Sequence, residues 1–123
     1  MVLPHHTDVS KTPAPHPVVV SSGLPTHLAE RITPMSSLDR SPCQGAYVLY
    51  WMRCAVRDHD NPALDVAASL AASLQKPLLV YHGVSERYPY ASDRLHRFIL
   101  EGAQDVAPKM EARGFRYVCH VER

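Results

Sequence analysis

The sequence is poor in the features on which a quick functional assignment rests. It has five glycines, and none lies in the ten-residue turn of residues 53–62 that follows the first apolar segment. Neither G-x-G-x-x-G nor G-x-x-x-x-G-K-[ST] occurs in it. A close approach of the backbone to a pyrophosphate needs a residue without Cβ. The usual mode of dinucleotide binding is therefore not expected.

Other absences exclude further classes of protein. No window of about 18 apolar residues occurs, so no transmembrane helix is predicted, and the polar, proline-rich N-terminus is unlike a signal peptide. A cytoplasmic protein without a membrane partner is expected. The net charge of +1 provides no strong field for nucleic acid. Cys43, Cys54 and Cys119 fit no zinc spacing, and we interpret them as reduced thiols.

The first third of the chain differs in composition from the rest. "KTPAPHPVVVSSGLP" carries four prolines in fifteen residues, and no period of 2 or 3.6 is visible. Residues 1–40 are therefore predicted to be a disordered arm and lead-in, with one short helical turn around Leu28–Arg31. The length of 123 residues allows one domain, which we place at residues 41–123.

The remaining pattern predicts β-α-β-α-β. The strands are expected at 46–52, 77–83 and 115–121, and the helices at 62–75 and 93–113. Short crossovers of this kind predict a Rossmann-like parallel sheet, half of a doubly wound α/β domain, with strand order 3-2-1. The apolar run "YVLYWM" predicts a central, buried first strand. The alternating third strand is predicted to lie at an edge.

The turn between the first strand and the first long helix is the candidate site. Open α/β sheets bind ligands beyond the carboxyl ends of their strands, although a solvated loop is an equal alternative. The residues predicted to line a ligand cleft there are Arg53, Arg57, Asp58, His59 and Asn61 from the turn, with His82 and Tyr88 near the end of the second strand. No second acidic or histidine cluster accompanies them at ligand spacing, so neither a metal site nor a catalytic residue is predicted.

Two long segments resemble one protein family. "YVLYWMRCAVRDHDNPALDVAASLAASLQKPLLVYHGV" and "YPYASDRLHRFILEGAQDVAPKMEARGFRYV" resemble the opening of class II cyclobutane-pyrimidine-dimer photolyases. The likeness covers about residues 27–123. The matching positions are Tyr47–Met52, Arg57, Asp60, Asn61, Ala63, Leu64, Arg94, Phe98, Leu100, Gly102, Arg113 and Gly114.

The resemblance implies a light-driven DNA repair enzyme, a deoxyribodipyrimidine photo-lyase. In that family an N-terminal α/β domain can house a deazaflavin or folate antenna, and a larger helical domain binds FAD and DNA. The present sequence resembles a truncated member without the helical domain or the last two strands of the sheet. No cofactor and no activity are therefore expected of this chain alone. A separately encoded helical FAD domain is the implied partner, and whether the chain is an enzyme by itself stays open.

Two other interpretations remain: a stand-alone Rossmann-like module that binds a small ligand, and a remnant reading frame. Under the truncated interpretation, the strand at residues 46–52 has an open edge without charge, proline or bulge. Self-association through this strand is therefore expected.

Overall fold

The structure, a computed structural model, describes residues 23–33, 45–87 and 89–122. Most of the arm predicted at residues 1–40 lies outside this range, as do Cys43 and Tyr88, so the prediction of a disordered arm stays a prediction. The short helical turn expected near Leu28 is observed as α1, Thr26–Ala29, and Leu28 is its buried residue. Cys54 and Cys119 are exposed free thiols.

The remaining elements follow the predicted alternation. They are β1 Val48–Trp51, α2 Pro62–Ser73, β2 Leu78–Ser85, α3 Asp93–Ala112 and β3 Arg116–Glu122. Both strand pairs are parallel, which confirms the Rossmann-like α/β class. The strand order reads β1-β2-β3 rather than 3-2-1. Either reading gives β2 the same two neighbours.

The position of β1 corrects one expectation. We predicted a central, buried first strand, but in the described sheet β1 lies at an edge. Leu49 and Trp51 are 56% and 58% exposed. Their side chains point away from the helices. The continuous apolar run therefore indicates a strand that can be buried on both faces, and the described residues cover one of them. The prediction that the third strand lies at an edge is confirmed for the described sheet.

Both long helices pack on one face of the sheet. Right-handed crossovers between neighbouring parallel strands place successive helices on the same side. The shared core consists of Met52, Leu64, Ala67, Ala71, Leu78, Val80, Val106 and Met110. We call this side the covered face. The other side, formed by the alternate strand residues Leu49, Trp51, Leu79, Tyr81, Gly83, Val118 and His120, is the open face.

The helical spacing of the sequence predicts an inner apolar stripe on α3, and the structure departs from it at Phe98. The predicted stripe consists of Leu95, Phe98, Ile99, Gly102, Val106 and Met110. Val106 and Met110 are buried as expected, but Phe98 is 73% exposed. The buried stripe continues backward to Ala103 and then to the half-buried Ile99, at the spacing of three or four residues that one helix face requires. Phe98 is one residue, or about 100°, away from that face. The helix itself continues through the exposed Pro108.

No helix in the described ranges combines the length and the apolar character needed to cross a membrane.

Candidate functional site

Asn61 organises the turn between β1 and α2 from inside. Its side chain is buried, and its Nδ2 donates to the carbonyl oxygens of Ala55 at 3.1 Å and Arg57 at 3.2 Å. Its Oδ1 accepts from the backbone N–H of Leu64 at 3.2 Å, which caps α2. The same oxygen accepts from the Tyr50 hydroxyl at 3.3 Å. One side chain therefore connects β1, the turn and α2.

These bonds decide how well the turn fits a dinucleotide. A pyrophosphate binds at a helix N-terminus through free backbone N–H groups. Here the Leu64 N–H is already bonded to Asn61, and the carboxylate of Asp58 adds negative charge to the same turn. The residues of this turn therefore do not fit the pyrophosphate of FAD.

The turn between β1 and α2 also contacts the C-terminal end of α3. Arg113 donates to the backbone carbonyl of Asp58, and its guanidinium lies 3.7 Å from the carboxylate of Asp65. Lys109 Nζ lies 3.8 Å from Asp58 Oδ1. From the sequence, Lys109 and Arg113 are predicted to lie on a solvated outer face of α3, because charged residues recur there at every fourth position. A contact with a distant turn leaves no local signal.

Asp58 and His59 lie side by side in this turn. His59 Nδ1 is 3.0 Å from Asp58 Oδ1, and this hydrogen bond holds the pKa of the Asp58 carboxyl below its usual value, with a smaller contribution from the charge of Lys109. The pair is solvated, so it contributes little to stability. In the described ranges no group of three or more histidine, cysteine and acidic side chains is arranged to hold a metal ion.

Arg53 and Arg57 are the exposed cations of the turn. The Arg53 guanidinium lies over the Trp51 ring, 5.1 Å from its centre, and so extends along the open face. The Arg57 side chain is exposed and has no hydrogen bond or ion pair with another described residue. Both guanidinium groups are therefore accessible for binding to an anionic or planar ligand.

His82 belongs to β2 and not to the turn. It is buried on the covered face of β2, where its Nδ1 is 2.8 Å from the Tyr117 hydroxyl. Burial lowers the pKa of His82, and burial together with the neighbouring Cys119 raises the pKa of Tyr117 to about 12. Within the described residues the hydrogen bond of His82 goes to Tyr117 and not to the turn. Tyr88, the other residue predicted from this end of β2, is not among the described residues.

The open face carries an aromatic pair, Tyr81 and His120, that was not predicted from the sequence; for Tyr81 the sequence favoured packing in the core over stacking on a planar ring. Tyr81 stacks with His120, with ring centres 6.2 Å apart and an interplanar angle of 29°. A Cβ at Gly83 would lie 3.2 Å from the Tyr81 ring. The absence of a side chain at Gly83 therefore allows this ring to pack against the strand. Trp51 is the register partner of Tyr81 on β1. The sequence signal that could have identified this group is the alternation of side chains along β2 and β3, which places every second residue on the same face of the sheet.

Comparisons with known proteins add the following findings. The family model described as DNA photolyase matches residues 48–123. A deoxyribodipyrimidine photo-lyase from Methanothermobacter thermautotrophicus is 42% identical over 95 residues, which cover 77% of this chain and 21% of that protein. No solved structure matches the chain significantly.

Proposed function

The chain belongs to the DNA photolyase family, and we propose that it is the α/β portion of a light-driven DNA repair protein of the class II cyclobutane-pyrimidine-dimer type. The observation that carries the proposal is the 42% identity over 95 residues to a deoxyribodipyrimidine photo-lyase. The chain spans about a fifth of the length of that relative. The substrate of the assembled protein would then be a pyrimidine dimer in DNA.

In this proposal the chain supplies a light-harvesting or docking surface and not the reacting centre. FAD and the dimer would be held by a helical domain, encoded separately or as further sequence, and this chain alone would not repair DNA. The poor fit of the turn to a pyrophosphate supports this division, because Asn61 already uses the N–H of Leu64. The cytoplasmic location expected from the sequence stays a prediction.

The turn fits an antenna with an acidic tail better than it fits a dinucleotide. A folate carries carboxylates, and Arg53 and Arg57 are exposed guanidinium groups that pair well with carboxylates. Asn61 and Arg113 form hydrogen bonds to the backbone of the turn. These bonds fix the backbone from which the two arginine side chains extend. Asp58 is paired with His59 and Lys109, which reduces its repulsion of an anion. Bound antenna would absorb light; Arg53, Arg57 and His59 would orient it.

Two measurements test the proposal. The purified chain is first illuminated with excess FAD and a dimer-containing oligonucleotide, and no light-dependent repair is expected. It is then titrated with a reduced folate and with a deazaflavin, followed by fluorescence. Binding of one of them, weakened about tenfold by Arg57→Ala and unchanged by Arg116→Ala, an exposed residue at the opposite end of the sheet, would support an antenna role. Repair by the chain alone would contradict the proposed division of labour.

A stand-alone small-ligand-binding module is the second candidate. The exposed guanidinium of Arg57 favours it, because such a group can bind any small anion. The same titration separates the two candidates when ATP and inorganic phosphate are added as competitors. An antenna site would prefer the aromatic ligand, whereas a general anion site would bind all of them with similar affinity. Failure to bind any ligand would leave docking to a helical domain, or a remnant reading frame, as the remaining interpretations.

A further inference from the structure

The carboxylate of Asp58 lies where donors from the turn and from α3 meet. Its Oδ1 is 3.0 Å from Nδ1 of His59 and 3.8 Å from Nζ of Lys109. The side chain of Asp58 is 21% exposed, whereas those of His59 and Lys109 are 70% and 55% exposed. Asp58 is therefore the enclosed member of this group, and its two partners are the accessible members.

Asp58 is an anion in this arrangement. The hydrogen bond from His59 lowers the pKa of its carboxyl, and the charge of Lys109 adds a smaller lowering. An ionised carboxylate accepts hydrogen bonds and donates none, so Nδ1 of His59 carries a proton and donates to Oδ1. Within the described residues the ammonium group of Lys109 has no other hydrogen bond or ion pair. One internal anion therefore engages both donors.

Convergent donors of this kind are also what an external anion needs. Carboxylates and phosphates bind to N–H donors and cations that point at one place. In this chain Asp58 already occupies that place, so an anionic ligand has to bind beside its carboxylate. The repulsion between the two grows with the charge of the ligand. A single carboxylate is repelled weakly, and a polyphosphate, which carries several charges, is repelled strongly.

We propose that Asp58 is the specificity-determining residue of the turn: its carboxylate is the internal counter-ion of His59 and Lys109, and it admits carboxylate ligands while it excludes polyphosphates. The inference rests on the proposed function, because it names the class of anion that the same turn accepts. Removal of this carboxylate frees His59 and Lys109 to contact a ligand together with Arg57, which precedes Asp58 in the chain.

Asp58→Asn isolates the charge of this residue. Asparagine has nearly the same shape as aspartate, and the hydrogen bond from Arg113 goes to the backbone carbonyl, so this bond is kept. The cap that Asn61 provides for α2 is also kept. Any gain in anion binding therefore comes from the side-chain donors of the turn and of α3, and not from a freed helix N-terminus.

Asp60→Asn is the matched control. It removes the same charge from the same turn, and Asp60 is exposed and has no side-chain hydrogen bond or ion pair with another described residue. The φ of Asp60 is 47°, in the left-handed region that asparagine adopts as readily as aspartate. The two variants therefore have the same net charge. They differ in whether the lost carboxylate is the partner of His59 and Lys109.

Isothermal titration calorimetry of the full chain and both variants with pyrophosphate and with a reduced folate tests the proposal. Asp58→Asn should bind pyrophosphate at least about tenfold more tightly than the natural chain does, and folate less than about threefold more tightly. Asp60→Asn should change either affinity by less than about twofold. Added salt should reduce the gain in Asp58→Asn, because salt screens charge repulsion, whereas a change of backbone structure would not respond in this way.

A double-mutant cycle assigns the gain to the two donors. In a chain that already carries His59→Gln and Lys109→Ala, Asp58→Asn should increase the affinity for pyrophosphate no more than Asp60→Asn does. The proposal is overturned if Asp58→Asn gains no pyrophosphate binding or gains as much as Asp60→Asn. It is also overturned if folate and pyrophosphate gain equally, or if the gain persists without the two donors.

The same titrations separate this inference from the proposed function. If the natural chain binds no folate and Asp58→Asn gains pyrophosphate binding, the antenna role fails and the assignment of Asp58 stands. If the natural chain binds folate and Asp58→Asn gains nothing, the antenna role stands and the assignment of Asp58 fails. If no variant binds either ligand, both fail.

Discussion

The hydroxyl of Tyr50 donates a hydrogen bond to Oδ1 of Asn61 at 3.3 Å, which joins the first strand directly to the cap of the following helix. Asn61 Oδ1 also accepts from Leu64 N–H, so one oxygen serves both elements. Rossmann-like domains that bind dinucleotides leave this position free for a phosphate. In this chain Asn61 already occupies the Leu64 N–H, and its other hydrogen bonds connect the turn to β1.

Asn61→Ala should lower the free energy of unfolding by about 2–3 kcal/mol, from loss of the helix cap and of the partners of two carbonyl groups. Urea denaturation followed by circular dichroism measures the change. Tyr50→Phe, which removes one of the four bonds, should cost about 1 kcal/mol. Equal effects of the two variants would mean that the cap and the carbonyl bonds contribute little.

Arg113→Ala should loosen the turn without unfolding the domain. Arg113 bonds to the Asp58 carbonyl and lies near the Asp65 carboxylate at the surface, so a loss of about 0.5–1 kcal/mol is expected. Limited trypsin digestion should then cut faster after Arg57. Arg97→Ala, an exposed residue on the same helix, is the control. If both variants are cut after Arg57 at the unaltered rate, α3 does not hold the turn.

The order and type of the elements could be predicted because their signals are local. Asn61-Pro62 begins α2, and the apolar spacing of α2 identifies the face that packs on the sheet. The contact between Asp58 and Arg113 joins residues 55 positions apart, and no local pattern indicates it. The edge position of β1 also depends on what packs beside the strand. An apolar run shows that both faces of a strand can be buried. It does not show whether other elements actually cover both faces.

Phe98 and Met110 should respond differently to truncation. Met110 is fully buried in the core, so Met110→Ala should cost about 2–5 kcal/mol through lost burial and a cavity. Phe98→Ala removes a largely exposed ring and should cost less than about 0.5 kcal/mol. Thermal or urea unfolding of the full chain measures both. A large loss in Phe98→Ala would mean that the ring is covered in solution, which would favour a docked partner or segment over α3.

Acidification should destabilise the domain through His82. Burial lowers the pKa of this histidine in the folded chain below its ordinary value of 6.5, so the unfolded chain binds the proton more readily. The stability tied to neutral His82 is complete above pH 6.5 and is lost as the pH falls from 6.5 through the lower folded pKa. Each unit by which the pKa is lowered corresponds to about 1.4 kcal/mol.

Urea titrations at pH 7.5 and pH 5 measure this loss, and they are run on the natural chain, on His82→Gln and on His27→Gln. His27 is exposed on α1, and His27→Gln is the control for the replacement of a histidine as such. His82→Gln should be less stable at pH 7.5, because the geometry of the bond to the Tyr117 hydroxyl is altered, and it should lose less on acidification. The difference between the natural chain and His82→Gln should therefore shrink as the pH falls. A difference that stays constant or grows would show that His82 is protonated without cost in the folded chain, so that the covered face admits water at this position.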